Sequence, residues 1–156
     1  MTTVLLATDA DWIRDEVDAA LSGPDTTVSR VRRGRDVLAA VAAIRPDLVV
    51  LDLQIGSMGG IATCLGLRLE EGAGRIDPVA ILLLLDRADD RFLARQAEAD
   101  GWMVKPLDAF RLRRAATALL EGDGWTEGGD APGPSREPDD GTTTPDDTPT
   151  DAPVAG

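Results

Sequence analysis

Histidine and tyrosine are both missing from this chain of 156 residues, and cysteine occurs once, at Cys64. Each absence removes a class of function. Without histidine, no side chain ordinarily titrates near neutral pH, so general-base catalysis has few candidates. A single cysteine builds neither a disulfide framework nor a thiolate metal cluster. Flanked by "IATCLGLRL", with no histidine to activate it, Cys64 reads as a buried and inert thiol. No apolar run approaches the ~18 residues of a membrane-crossing helix, and no secretory signal pattern is present. The expectation is a soluble, cytoplasmic protein.

Basic charge is also scarce. Sixteen lysines and arginines stand against 28 acids, for a net charge of −12. That balance argues against direct binding to nucleic acid or to an anionic membrane. The deficit is uneven along the chain. From Gly122 onward Gly, Pro, Asp and Thr dominate, with nine acids and one base, so residues 1–121 carry only −4 of the total. Such a stretch has too little apolar surface to offset the entropy of ordering it. Residues 122–156 are therefore expected to be a disordered acidic tail, and residues 1–121 one folded domain. Two basic clusters break the pattern, "RVRRGR" (30–35) and "RLRRA" (111–115). Each is either solvated surface or a docking patch for an acidic partner, the chain's own tail included.

What is present is an alternation. "TVLLA", "TTVSRV", "LVVL", "VAILLLL" and "WMV" are short apolar runs, and between them lie segments with helical spacing. Periodicity alone leaves "VAILLLL" open between a strand and a buried helix. Asp11 is the expected N-cap of the first helix and Asp108 of the last. The second helix must stop before Pro46. Five strands alternating with five helices make an α/β fold: a doubly wound, five-stranded parallel sheet covered on both faces. Reactive groups in such sheets gather at the carboxyl ends of the strands. Asp9 follows the first strand, Asp52 the third and Lys105 the fifth. Asp52 by itself is an ordinary turn acid or a group held at the rim; Asp9 and Lys105 favour the rim. Two neighbouring carboxylates suit a hard, oxygen-ligated cation, and a nearby lysine suits a phosphoryl group. "GAGR" (72–75) follows a helix rather than a first strand, which makes it a poor phosphate loop.

These motifs resemble the receiver domain of two-component response regulators over residues 3 to about 120. "LVVLD" followed by "LQIGSMGG", with Met58 and Gly60 in register, parallels the acceptor aspartate and its loop. "ADGWMVKP" parallels the motif that ends in a lysine and a proline, here Lys105 and Pro106. The resemblance implies a flavodoxin-like sheet of order 2-1-3-4-5 and no enzymatic turnover. It implies Asp52 as phosphoacceptor, with Asp9, Asp52 and the Gln54 carbonyl as Mg²⁺ ligands and Lys105 as the phosphoryl contact. It implies a sensor histidine kinase or other phosphodonor, a protein output partner, and self-association through the fourth helix, fifth strand and fifth helix.

Two departures stand out. Receivers usually carry two acids after the first strand, whereas "ATDAD" puts Thr8 first and Asp9 second, leaving Thr8 and Asp11 as auxiliary groups. The hydroxyl that normally ends the fourth strand is missing, since Leu83, Leu84, Leu85 and Asp86 occupy that region. Trp102 is a switch-like aromatic or simply a core one. Two functions stay in view. One is a stand-alone receiver in a phosphorelay; the other is a phosphorylation-independent pseudo-receiver that serves as an interaction scaffold or small-ligand sensor. A flavodoxin-like flavin binder is a third, disfavoured because no Ser/Thr/Gly-rich loop follows the first strand.

Overall fold

A computed structural model describes residues 1–127. The strands are β1 (Thr2–Ala7), β2 (Thr26–Val31), β3 (Leu48–Asp52), β4 (Ala80–Leu85) and β5 (Gly101–Val104). The helices are α1 (Asp11–Leu21), α2 (Val37–Ile44), α3 (Gly60–Gly72), α4 (Arg91–Gln96) and α5 (Ala109–Leu120). The strands form one sheet in the order β2-β1-β3-β4-β5, and every pairing is parallel. The run that periodicity left ambiguous is β4.

Successive side chains of a strand point to opposite faces, and this divides the apolar runs. Leu5, Val49, Leu51, Ile81, Leu83 and Leu85 pack with Val37, Val41, Cys64 and Leu67 of α2 and α3. Val4, Leu6, Val50, Leu82 and Leu84 pack with Ile13, Val17, Leu112 and Leu119 of α1 and α5. Both faces are covered, so the central strands have no polar side and their sequences run continuously apolar.

Three expectations need correction. Asp11 does not cap α1: Ala10 is the N-cap residue, and Asp11 opens the helix with its carboxylate on Arg30, 2.8 Å from Nη1. A carboxylate offered an arginine neighbour gains more there than at a helix end. The fourth helix is only Arg91–Gln96 after a 3₁₀ turn at Ala88–Asp90, although "DDRFLARQAEA" (89–99) has helical spacing throughout. Glu98 adopts φ 63°, and the amides of Glu98 and Ala99 bond back to the carbonyls of Arg95 and Ala94. That is a left-handed helix stop made without glycine, invisible to a glycine-based reading. The third correction concerns the tail. The chain does not leave the domain at Gly122, because Trp125 bridges to Gly101 of β5 in parallel. Beyond Glu127 the expected disorder falls on residues outside the described part. Asp108 does cap α5, its Oδ1 accepting from the Arg111 amide at 2.9 Å.

Candidate functional site

Asp52 is the last residue of β3 and is 1% exposed. The strand alternation carries it to the sheet rim, where its carboxylate is fully engaged. Oδ2 accepts the hydroxyl of buried Thr8 at 2.7 Å. Oδ1 accepts Lys105 Nζ at 2.6 Å and the Gln54 amide at 3.1 Å. A buried carboxylate needs such partners, since an unpaired buried charge is costly. Thr8 Oγ1 also accepts from the Ala10 amide at 3.1 Å, which fixes the turn after β1. Asp9 is exposed, and its Oδ2 accepts from the Gly56 amide at 3.2 Å.

Lys105 follows β5 and is held in place by its own amide, which donates to the Leu85 carbonyl at 2.8 Å. Its peptide bond to Pro106 is cis. Its ammonium bridges two acids, donating to Asp86 Oδ1 at 3.0 Å as well as to Asp52 Oδ1 at 2.6 Å. Across the sheet Asp52 stands opposite Leu84, so Leu83, Leu84 and Leu85 are core residues and Asp86 is the first group past the strand. Its other oxygen, Oδ2, is shielded from solvent and has no hydrogen-bond partner among the described residues.

The loop after Asp52 lies against the backbone, where glycine is required. A Cβ on Gly60 would sit 2.6 Å from the Asp52 carbonyl oxygen. One on Gly34 would sit 1.9 Å from the Met58 carbonyl oxygen. Gly34 is not visible as a structural glycine in the sequence, because it lies inside the charge cluster "RVRRGR".

The structure therefore brings Asp9, Asp52, Thr8, Lys105 and Asp86 together at one rim. It directs Asp11 elsewhere, to Arg30 and Arg32. Trp102 is buried, its indole N–H donating to the Glu127 carbonyl at 3.0 Å and its ring 5.9 Å from the Arg95 guanidinium. Cys64 is buried, donates to the Ala97 carbonyl, and has its thiol pushed up by burial to about 12. No three acids gather to hold a metal among the described residues. The Asp9 and Asp52 carboxylates are hard oxygen donors, the kind that suits Mg²⁺ when water completes the shell. A Cβ on Gly56 would lie 3.0 Å from Asp9 Oδ2, so glycine there lets the Asp9 carboxylate come close to the loop. Among the described residues no helix is long and apolar enough to cross a membrane.

The arrangement is that of a signalling receiver, and comparison with known proteins agrees. The family model for the response regulator receiver domain matches residues 4–117. The transcriptional regulatory protein CseB of Streptomyces avermitilis is 31% identical over 147 residues, covering 93% of this chain and 58% of that protein. The response regulator MprA of Mycolicibacterium vanbaalenii is 30% identical over 117 residues, covering 75% of this chain and 49% of its own. The chain thus spans about half the length of these curated relatives. Among solved structures, Vibrio cholerae chemotaxis protein CheY4 superposes with a TM-score of 0.67 at 24% identity, over 76% of this chain and 98% of that one. This chain belongs to the response regulator receiver domain family of two-component signalling. Domains of this kind are signalling modules that work with sensor histidine kinases and generally bind Mg²⁺ at the phosphorylation site.

Proposed function

We propose that this receiver accepts a phosphoryl group on Asp52 and signals through protein contacts, in the cytoplasm and without enzymatic turnover. The observation that carries the reading is the buried Asp52 carboxylate held 2.6 Å from Lys105 Nζ at the sheet rim. An Asp52 oxygen attacks the phosphorus of the donor, a histidine kinase phosphohistidine or a small phosphodonor. The new O–P bond forms as the bond to the donor breaks, and the leaving group departs with its electron pair. The attacking carboxylate is already ionised, so the absence of histidine costs nothing. Lys105 neutralises charge on the transferring group, and the Thr8 hydroxyl and Gln54 amide orient the acceptor. Asp9, Asp52 and the Gln54 carbonyl would hold Mg²⁺, which supplies further charge neutralisation.

The test is phosphoryl incorporation from a small phosphodonor with Mg²⁺, in wild type against Asp52→Asn. Label on the wild type alone supports the reading; equal label, or none, overturns it. One observation favours the pseudo-receiver reading instead. Asp86 places a second carboxylate on Lys105, where a phosphoryl group would otherwise have that ammonium to itself. Magnesium titration followed by Trp12 or Trp102 fluorescence separates the two. Binding abolished by Asp9→Ala supports the phosphorelay, and no response at millimolar magnesium supports the scaffold.

A further inference from the structure

The outer edge of β5 carries a feature that phosphorylation chemistry does not use. The amides of Trp102 and Val104 point away from β4, as alternate residues of an edge strand must, and both are taken. Trp102 donates to the Trp125 carbonyl at 2.9 Å, and Val104 donates to Glu127 Oε2 at 3.0 Å. The Trp102 indole N–H reaches the Glu127 carbonyl at 3.0 Å. Arg111, in the first turn of α5, closes the contact: its Nη2 donates to Glu127 Oε2 at 3.2 Å, and its Nε lies 3.0 Å from Oε1. Arg114 sits 5.9 Å from the Trp125 ring. Gly122, at φ 87°, turns the chain out of α5 and back along the strand.

Two features of the edge are matched to this occupant. Gly101 has no side chain where the segment passes, and a Cβ there would lie 2.6 Å from the Trp125 carbonyl oxygen. Among the described residues, "RLRRA" is the basic cluster to which a carboxylate of the acidic region, that of Glu127, is bound. The recognised pattern is short. It needs an extended backbone, an aromatic residue beside Arg114, and a carboxylate two positions later that reaches both Val104 and Arg111.

We propose that the β5 edge, with the start of α5, is a docking site for extended segments of the pattern aromatic-x-acid. Trp125–Glu127 is its resident ligand and keeps the same pattern on a partner protein from binding. Such β-augmentation draws affinity from main-chain bonds and specificity from the flanking side chains. The site lies on the strand that the family resemblance assigns to self-association, so the resident segment also covers part of that face.

The test uses the full chain and a peptide of residues 121–127, acetylated and amidated at its ends. The variant Trp125→Ala/Glu127→Ala empties the edge. Gly101→Ala blocks it, by placing a methyl group where the segment's backbone runs. Three results are expected by NMR. The Trp102 and Val104 amides exchange slowly in wild type and rapidly in both variants. The emptied variant binds the peptide in a saturable way, shifting those two amides and Arg111. Wild type binds it roughly tenfold or more weakly, because its own segment competes at an effective concentration of about 1 mM or above. Gly101→Ala binds no peptide although its edge is open. Fast exchange at both amides in wild type overturns the proposal. So does an emptied variant that ignores the peptide, or a wild type or Gly101→Ala protein that binds it as well as the emptied one does.

Discussion

Replacing Asp86 with threonine should make Asp52 faster to phosphorylate. In the resting site the Lys105 ammonium is shared, 2.6 Å from Asp52 and 3.0 Å from Asp86. A transferring phosphoryl group needs that ammonium, so the Asp86 carboxylate both competes for it and repels the incoming charge. At 3.0 Å and an effective dielectric near 20, the gross attraction between Lys105 and Asp86 is ~5 kcal/mol. The Asp86 side chain is 32% exposed, so solvent and desolvation remove most of this. A hydrogen bond to a charged group nets about 1.5–3 kcal/mol. Losing about half of that net value on the way to the transition state would raise the barrier by ~1 kcal/mol, roughly a fivefold slower reaction. The assay is the initial rate of label uptake from a small phosphodonor at fixed Mg²⁺. Asp86→Asn keeps the shape and removes the charge, so it should recover most of the gain; Asp86→Thr adds a donor and should exceed it. The fold is little affected, because Lys105 retains Asp52 in both variants. Rates within about twofold of wild type in both would refute the claim that Asp86 restrains the site.

Gly60→Ala should destabilise the domain by about 1–3 kcal/mol in urea unfolding, because its Cβ would press on the Asp52 carbonyl oxygen at 2.6 Å. Cys64 should resist a thiol reagent at mildly alkaline pH and react only on unfolding, given its burial and a thiol pushed up to about 12. Rapid labelling of the folded chain would contradict that. Asp11 supplies a pH prediction. Its hydrogen bond from Arg30 holds the carboxyl below its ordinary 3.8. A depressed carboxyl stabilises the fold above its unfolded value and loses that contribution as pH falls through the folded one. The stability difference between wild type and Asp11→Asn should therefore be constant above roughly pH 5 and shrink below roughly pH 4. A difference that grows on acidification would exclude the pairing.

The framework was legible because strands and helices differ in period. Uninterrupted apolar runs such as Leu48–Leu51 marked strands covered on both sides, and one rule about strand ends then brought Asp9, Asp52 and Lys105 together. What stayed hidden depends on partners distant in sequence or on backbone shape. Asp11 has the composition of a cap, and only the fold shows that Arg30 is a better partner. Glu98 ends α4 in a conformation that its side chain does not announce. Gly34 sits in a run of arginines, yet it is required by a carbonyl from the loop after Asp52. Trp125 and Glu127 were submerged in an acidic stretch whose average composition is that of disorder. Averages describe a segment, whereas docking here depends on a few side chains and two amides.

Asp86 is the residue whose meaning changed most. In the sequence it is an acid in the region where the hydroxyl is missing. In the structure it holds Lys105, and the hydroxyl that β4 lacks is found across the acceptor, on Thr8, bonded to Asp52 Oδ2 at 2.7 Å. Compared with the layout that the family resemblance implies, an acid and a hydroxyl have exchanged sides of Asp52. Asp86 stands on Lys105, 3.0 Å from its Nζ, so its charge is paired with the ammonium that also holds Asp52. If Asp52 is the acceptor we propose, the Thr8 hydroxyl on the β1 side steadies it before transfer, and the Asp86 carboxylate on the β4 side opposes the phosphorylated product.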